Sequence, residues 1–179
     1  VPATLRQLYT APTDEALAFD VQAIKTFGMN AVRLHQKINP ERWYYHADRL
    51  GVVVLQDAVQ HFEYPQQGGA PINTSLFTSD WARAISGRYS HPSIIQWNIF
   101  NEGEFEPEKW NASDILRLTR ELDGTRLVDF NSGGPGNKLG IGDVNDVHSY
   151  PQPSDPMPSL TQYAKVGEYG GIGWNPTGH

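Results

Sequence analysis

The spacing of apolar residues divides this chain into short strands alternating with helices. Leu17, Val21 and Ile24 recur at helical spacing, so a helix is predicted over about 14–27. Thr13 is its N-cap, Asp14 and Glu15 sit at the positive end of its dipole, and Gly28 stops it. Residues 31–35 then read as a strand. Asn39-Pro40 opens a second helix, with Trp43, Ala47 and Leu50 on its buried side and Gly51 at its end. Val52-Val53-Val54-Leu55 carries no polar alternation, the mark of a strand covered on both faces in a parallel sheet. After a long loop over 56–76, the pattern predicts a helix near 79–89, closed by His91-Pro92, and a strand over 93–100. A helix over 113–122 follows, then strands at 127–130, 146–148 and 164–166. The proline-rich stretch 151–158 joins the last two strands without a helix.

Six strands with helices in most of the gaps predict a parallel α/β fold. Their C-terminal ends deliver polar side chains: Arg33 and His35, Asp57, Asn101 and Glu102, Asn131, His148 and Tyr150, and Glu168. In a (β/α)8 TIM barrel those ends form one rim, where active sites sit. A doubly wound sheet also binds ligands at strand C-termini, but it usually carries a glycine-rich phosphate turn after its first strand. The glycine-rich loop here, Ser132-Gly133-Gly134-Pro135-Gly136-Asn137-Lys138, matches neither G-x-G-x-x-G nor the P-loop and reads as a rim loop. The predicted class is therefore the barrel.

Composition narrows the chemistry. With 20 acidic and 14 basic side chains the net charge is −6, without the basic excess that nucleic acid requires. No apolar run approaches the length of a membrane span. Cysteine is absent, which excludes disulfides, a thiol nucleophile and thiolate zinc sites. The histidines show neither H-x-H nor H-E-x-x-H spacing, so no catalytic zinc is expected. What remains prominent is a pair of glutamates, Glu102 and Glu168, each just past an apolar strand. Glycoside hydrolysis needs two such carboxyl groups, one to protonate the leaving oxygen and one to meet the oxocarbenium-like carbon.

The motifs around these glutamates are specific. His91-Pro92-Ser93-Ile94-Ile95-Gln96-Trp97-Asn98-Ile99-Phe100-Asn101-Glu102 resembles the acid/base signature of glycoside hydrolase family 2. Asp146-Val147-His148-Ser149-Tyr150-Pro151 and Gly167-Glu168-Tyr169-Gly170-Gly171 resemble the family's sixth- and seventh-strand motifs. Phe27-Gly28-Met29-Asn30-Ala31-Val32-Arg33 is similar to its second-strand entry, and the stretch from Trp43 to Asp57 to the following helix and third strand. The likeness runs from Tyr9 to Gly173 with the motifs in order.

The resemblance implies a retaining exo-β-glycosidase acting on a carbohydrate. Glu102 would be the general acid/base, with a raised pKa, and Glu168 the nucleophile. Asn101 would bond the sugar 2-hydroxyl, and Arg33 and Tyr150 would hold the Glu168 carboxylate ionised and oriented. His35, Asp57, His148 and Trp174 are the remaining candidates for the sugar-binding rim, and Trp97 is expected in the core. β-Galactosidase-like specificity is the leading expectation. The alternatives are a β-glucuronidase or β-mannosidase, or a carbohydrate-binding barrel without activity. Glucuronidases of the family usually carry an Asn-x-Lys element for the substrate carboxylate, and none follows Glu168. No cofactor is implied. Some family members use a divalent or monovalent cation, which stays open here; the acidic run Glu104, Glu106, Glu108 reads as a solvated loop.

Length sets the last expectation. A complete barrel takes about 250 residues, so this chain is short by roughly two β/α units. The motif order assigns its strands as the second to seventh. The expectation is a catalytic-domain fragment, an unclosed barrel of six parallel strands with little activity alone, and with flanking β-sandwich domains elsewhere in the parent chain.

Overall fold

The computed structural model describes residues 12–59, 73–102, 111–134, 140–171 and 173. Helix α1, Asp14–Thr26, starts where Thr13 accepts a hydrogen bond from the Ala16 N–H, and buries Leu17 and Val21. It leads into strand β1, Ala31–Leu34. Helix α2, Glu41–Leu50, follows Pro40, which lies one position before the helix instead of opening it. Gly51, in the left-handed conformation at φ 66°, ends α2 and turns the chain into strand β2, Val53–Asp57. Helix α3, Thr74–Arg88, begins five residues earlier than the apolar pattern predicts, because Asn73 caps it by accepting from the Leu76 N–H. Strand β3, Ile94–Asn101, helix α4, Ala112–Leu122, and strand β4, Leu127–Ser132, complete the alternation. Strands β5, Val144–His148, and β6, Tyr163–Glu168, come last, with no helix over 149–162 between them.

All six strands pair in parallel, β1 to β4 in one sheet and β5 with β6 in a second. The expected single run of six is thus divided between β4 and β5. At its lower end the seam is bridged by Asp143. Asp143 donates its N–H to the Val128 carbonyl at 2.8 Å, and its carboxylate accepts from the Val128 N–H at 2.8 Å. Gly142, at φ 78°, lets the chain approach this closely, since a Cβ there would lie 2.8 Å from the Val128 oxygen. A side-chain bridge stands here in place of a continuous ladder, so the six strands form two sheets. No helix among the described residues is long and apolar enough to cross a membrane.

The hydrophobic core lies between the helices and the outer face of β1–β4, where Val21, Tyr44, Ile85, Trp97 and Ile115 are fully covered. Trp97 is a core residue, as the sequence suggests, packed edge-on to Trp81 with ring centroids 5.6 Å apart. Both indoles find acceptors, Trp81 in Thr119 Oγ1 and Trp97 in Asp123 Oδ2, each at 2.9 Å. Asp123 also accepts from Arg126 at 2.5 Å and from the Thr125 N–H at 3.0 Å. Burial opposes its charge, but the bonds from Thr125, Trp97 and Arg126 prevail and hold its pKa down to about 2. A carboxylate depressed on folding stabilises the native state above its unfolded pKa and loses that contribution as pH falls through the folded value. Asp123→Asn is therefore expected to cost on the order of 2 kcal/mol at pH 7 and to flatten acid unfolding between about pH 4 and pH 2. Denaturant midpoints of both proteins across that window check it; parallel curves would remove Asp123 from the acid-labile set.

The inner side of the strands is polar instead. Gln96, Asn98, Asp129, Asn131 and Asp146 occupy alternate strand positions and are almost wholly buried. Lys165 rises between Asp129 and Asp146, 3.0 Å from a carboxylate oxygen of each, and the Tyr163 hydroxyl donates to Gln96 Oε1. This polar layer forms the floor on which the strand-end residues stand.

Candidate active site

Register decides which strand-end residues meet. Asp146 lies opposite Lys165 and Val147 opposite Val166, but His148 lies opposite Glu168, so Gly167 is an extra residue on β6. A Cβ at Gly167 would come within 2.3 Å of Asp146 Oδ1, so glycine is what allows this close passage. The bulge sets Glu168 beside His148 at the top of the sheet. From the other sheet, Arg33 on β1 reaches across to it.

Arg33 organises the rim. Its Nη1 donates to Glu168 Oε1 at 2.7 Å, its Nη2 to Asn101 Oδ1 at 2.7 Å, and its Nε and Nη2 grip the Asp57 carboxylate at 2.8–3.1 Å. The Tyr150 hydroxyl donates to the second oxygen, Glu168 Oε2. Burial works against the Glu168 charge, yet the Tyr150 bond and the electrostatic pull of the neighbouring His148, Arg33 and His35 outweigh it and keep Glu168 below the ordinary carboxylate range. The same bond, seen from the phenol, pushes Tyr150 up to about 12. Glu168 is thus an oriented carboxylate that stays ionised at neutral pH.

Glu102 stands in different surroundings. It follows the end of β3 in a left-handed conformation, φ 47°, which a non-glycine residue adopts at a cost, with its N–H tied to the Ser132 carbonyl at 2.9 Å. Its side chain is 48% exposed and, among the described residues, meets one partner, His148 Nδ1, at 2.5 Å from Oε1. Glu102, His148 and Glu168 each present one side-chain nitrogen or oxygen such that all three lie within 4.8 Å of one another. They are close enough to hold a cation together, but the Glu102–His148 bond and the Arg33 and Tyr150 bonds to Glu168 already account for the cluster.

The other candidates fall into three groups. His35 is 53% exposed at the rim, its Nε2 3.7 Å from Glu168 Oε1. Asp57 lies beneath the rim at 2% exposure, bonded to Arg33, to Asn98 at 2.6 Å and to the Gln36 N–H, a placement that makes it the support of Arg33 and keeps it from a sugar. Asn101 is also buried and turns its carbonyl oxygen to Arg33. Trp174 and the run Glu104, Glu106, Glu108 lie outside the described residues, as do positions 135–138 of the glycine-rich loop. Sequence reasoning overlooked Ser132, Asp129 and Lys165 as parts of the site. Polar residues on every second position of a buried parallel strand were the available signal.

This geometry has known counterparts. The model of "Glycosyl hydrolases family 2, TIM barrel domain" matches residues 11–157. The chain belongs to glycosyl hydrolase family 2. Within the family, a β-galactosidase from Photobacterium profundum is 30% identical over 130 residues, 68% of this chain. A putative β-glucuronidase from Formosa agariphila is 26% identical over 125 residues, 69% of this chain. The chain spans about 12% of the length of these curated relatives. Among solved structures, the family 2 β-galacturonidase from Eisenbergiella tayi bound to galacturonate aligns at TM-score 0.65 and 25% identity, over 79% of this chain and 26% of that one. A β-glucuronidase from an uncultured Clostridium species, at TM-score 0.61 and 21% identity, shares the fold over 78% of this chain and 26% of its own. The six-stranded parallel structure is thus part of the family 2 TIM barrel.

Proposed function

We propose that this chain carries the catalytic pair of a retaining exo-β-glycosidase with β-galactosidase-like specificity. The supporting observation is that one oxygen of Glu102 and one of Glu168, carboxyl groups set at the ends of different strands in unequal surroundings, lie within 4.8 Å of each other. Carboxyl groups about 5–5.5 Å apart belong to double displacement, whereas inversion leaves room for a water and a spacing of about 6.5–9.5 Å. Glu168, held ionised and aimed by Arg33 and Tyr150, is the nucleophile that forms the glycosyl-enzyme. Glu102, exposed beside it and free of any arginine or lysine partner among the described residues, is the acid that protonates the leaving oxygen and then the base that activates water. The whole chain is then read as a portion of the family's catalytic domain.

The sugar is assigned on charge. A uronate substrate needs a cation for its carboxylate, a reading favoured by the likeness to the galacturonate-bound structure. Among the described residues the cations near the pair are Arg33 and Lys165, and both are engaged by Asp57, Glu168, Asp129 and Asp146. That engagement supports a neutral galactoside. The test is inactivation of the full-length polypeptide by 2,4-dinitrophenyl 2-deoxy-2-fluoro-β-galactoside, with peptide mapping of the adduct. Label on Glu168 is the expected result. Label from the corresponding glucuronide or galacturonide alone would overturn the galactoside, and label from none would favour a binding barrel over an enzyme.

A further inference from the structure

The glycine-rich turn after β4 has a use that its composition does not suggest. Ser132 closes β4, is wholly buried, and places its Oγ 2.5 Å from Asp146 Oδ2 and 2.9 Å from His148 Nε2. Gly133 follows at φ 68° with the His148 ring lying directly on it: a Cβ there would fall 2.3 Å from the imidazole Cγ. The other edge of that ring meets Glu102 Oε1 at 2.5 Å. Four groups from the ends of β3, β4 and β5 thus make one chain of hydrogen bonds, Asp146–Ser132–His148–Glu102, and the His148 side chain within it is only 5% exposed.

The direction of the protons follows from the acceptors. Asp146 Oδ2 is also 3.0 Å from the Lys165 ammonium, which favours its ionised, acceptor-only form. The one hydroxyl proton of Ser132 therefore goes to Asp146, so Ser132 Oγ must accept from His148. That fixes the proton of His148 on Nε2 and leaves Nδ1 facing Glu102. We propose that Ser132 and Gly133 are positioning residues that seat His148 with Nε2–H fixed, so that Nδ1 holds the Glu102 carboxyl, and the one proton between them, at the attitude required of the acid/base. The proposal rests on the reading of Glu102 given above. Glu102 sits in a left-handed backbone with its side chain half exposed, and among the described residues His148 is the partner that can hold it.

Leaving groups of different acidity separate this role from general support of the fold. Cleavage of phenyl β-galactoside needs proton donation, while cleavage of 2,4-dinitrophenyl β-galactoside scarcely does. In the full-length polypeptide, Ser132→Ala and, independently, Gly133→Ala are expected to lower kcat/KM for the phenyl substrate roughly tenfold more than for the dinitrophenyl one. Competent sites are counted by the burst of dinitrophenolate from the 2-fluoro galactoside, so misfolded protein divides out. Glu102→Gln is the control and should show a larger split of the same kind. Equal losses on both substrates in the serine and glycine variants, beside a split in Glu102→Gln, would overturn the seat and leave the acid/base reading intact. No split in Glu102→Gln, or no turnover by the parent, would remove the acid/base reading and the proposal with it. A readout independent of turnover is the 15N spectrum of histidine-labelled protein, with His148 assigned by its loss in His148→Gln. Nε2 is expected to carry its proton in the parent, and this preference should be lost in Ser132→Ala; a bare Nε2 in the parent would refute the proposal.

Discussion

Glu168→Gln is expected to lower kcat roughly 10⁴-fold or more on any aryl β-glycoside the enzyme hydrolyses, with little change in stability. The first effect follows from chemistry: an amide at this position cannot form the glycosyl-enzyme, and only residual positioning and proton transfer remain. The second follows from the bonding around Arg33. Its Nε and Nη2 stay on Asp57 and its Nη2 on Asn101, while the glutamine carbonyl oxygen still accepts from Nη1. Removing one charge from a group that is 24% exposed, without unpairing the arginine, should move the unfolding midpoint by less than about 1 kcal/mol. The double expectation separates a nucleophile from a structural ion pair, whose loss would lower stability and activity together. Glu168→Ala sharpens it. Azide should enter the space vacated by the carboxylate, attack the anomeric carbon from the same face and yield the α-glycosyl azide. Recovery of a β-glycosyl azide, or near-normal turnover by Glu168→Gln, would remove Glu168 from its role.

Much of the rim was legible because strand ends are marked twice in the sequence, by the stop of an apolar run and by a polar residue after it. Arg33, Glu102, His148, Tyr150 and Glu168 were all found that way, and the structure brings them together. The floor beneath them was not read, for a physical reason. Ile94 to Phe100 looks like one apolar strand interrupted at random by Gln96 and Asn98. In a barrel the apolar positions face the helices and the alternate ones face inward, so the interruptions are themselves the interior. Asp129 with Asn131, and Asp146 with His148, repeat the same period on β4 and β5. Ser132 was read only as the first residue of a rim loop, since its two bonds exist only once β5 has docked beside β4. Asp57 was misleading in the opposite sense. It sits at a strand end, as a rim residue would, but Arg33, one position before the end of β1, folds over it and buries it.

Lys165→Met is expected to be the most damaging substitution to the fold. The Lys165 ammonium lies 3.0 Å from Asp129 and 3.0 Å from Asp146, whose side chains are 0% exposed. Burial pushes Asp129 above the ordinary carboxylate range against the pull of Lys165, with Asp146 adding to the rise, while Lys165 and the bonds from Asp129 and Ser132 hold Asp146 below it despite burial. The two carboxyls thus titrate as a pair around one cation. Removing one partner of a buried ion pair typically costs about 3–5 kcal/mol, and here two carboxylates lose the same partner. Against a native stability of about 5–15 kcal/mol, the variant should be largely unfolded at pH 7.5 or close to its midpoint without denaturant. The pH dependence should also become one-sided, because in the parent the raised Asp129 contributes stability below its unfolded pKa that is lost as pH rises, opposite in sign to Asp146. In the parent, the Asp146 contribution is present above its unfolded pKa and is lost as pH falls through the lower folded value. In Lys165→Met both carboxyls become easier to protonate folded than unfolded, so the contribution is present below the unfolded pKa and is lost as pH rises. The variant should therefore be more stable near pH 4.5 than at pH 7.5, and Asp129→Asn with Asp146→Asn in the same background should recover much of the loss at pH 7.5. Urea midpoints at the two pH values decide it. A variant within about 1 kcal/mol of the parent at pH 7.5 would mean that water, and not Lys165, solvates this pair, and that the layer under Ser132 and His148 is softer than its burial implies.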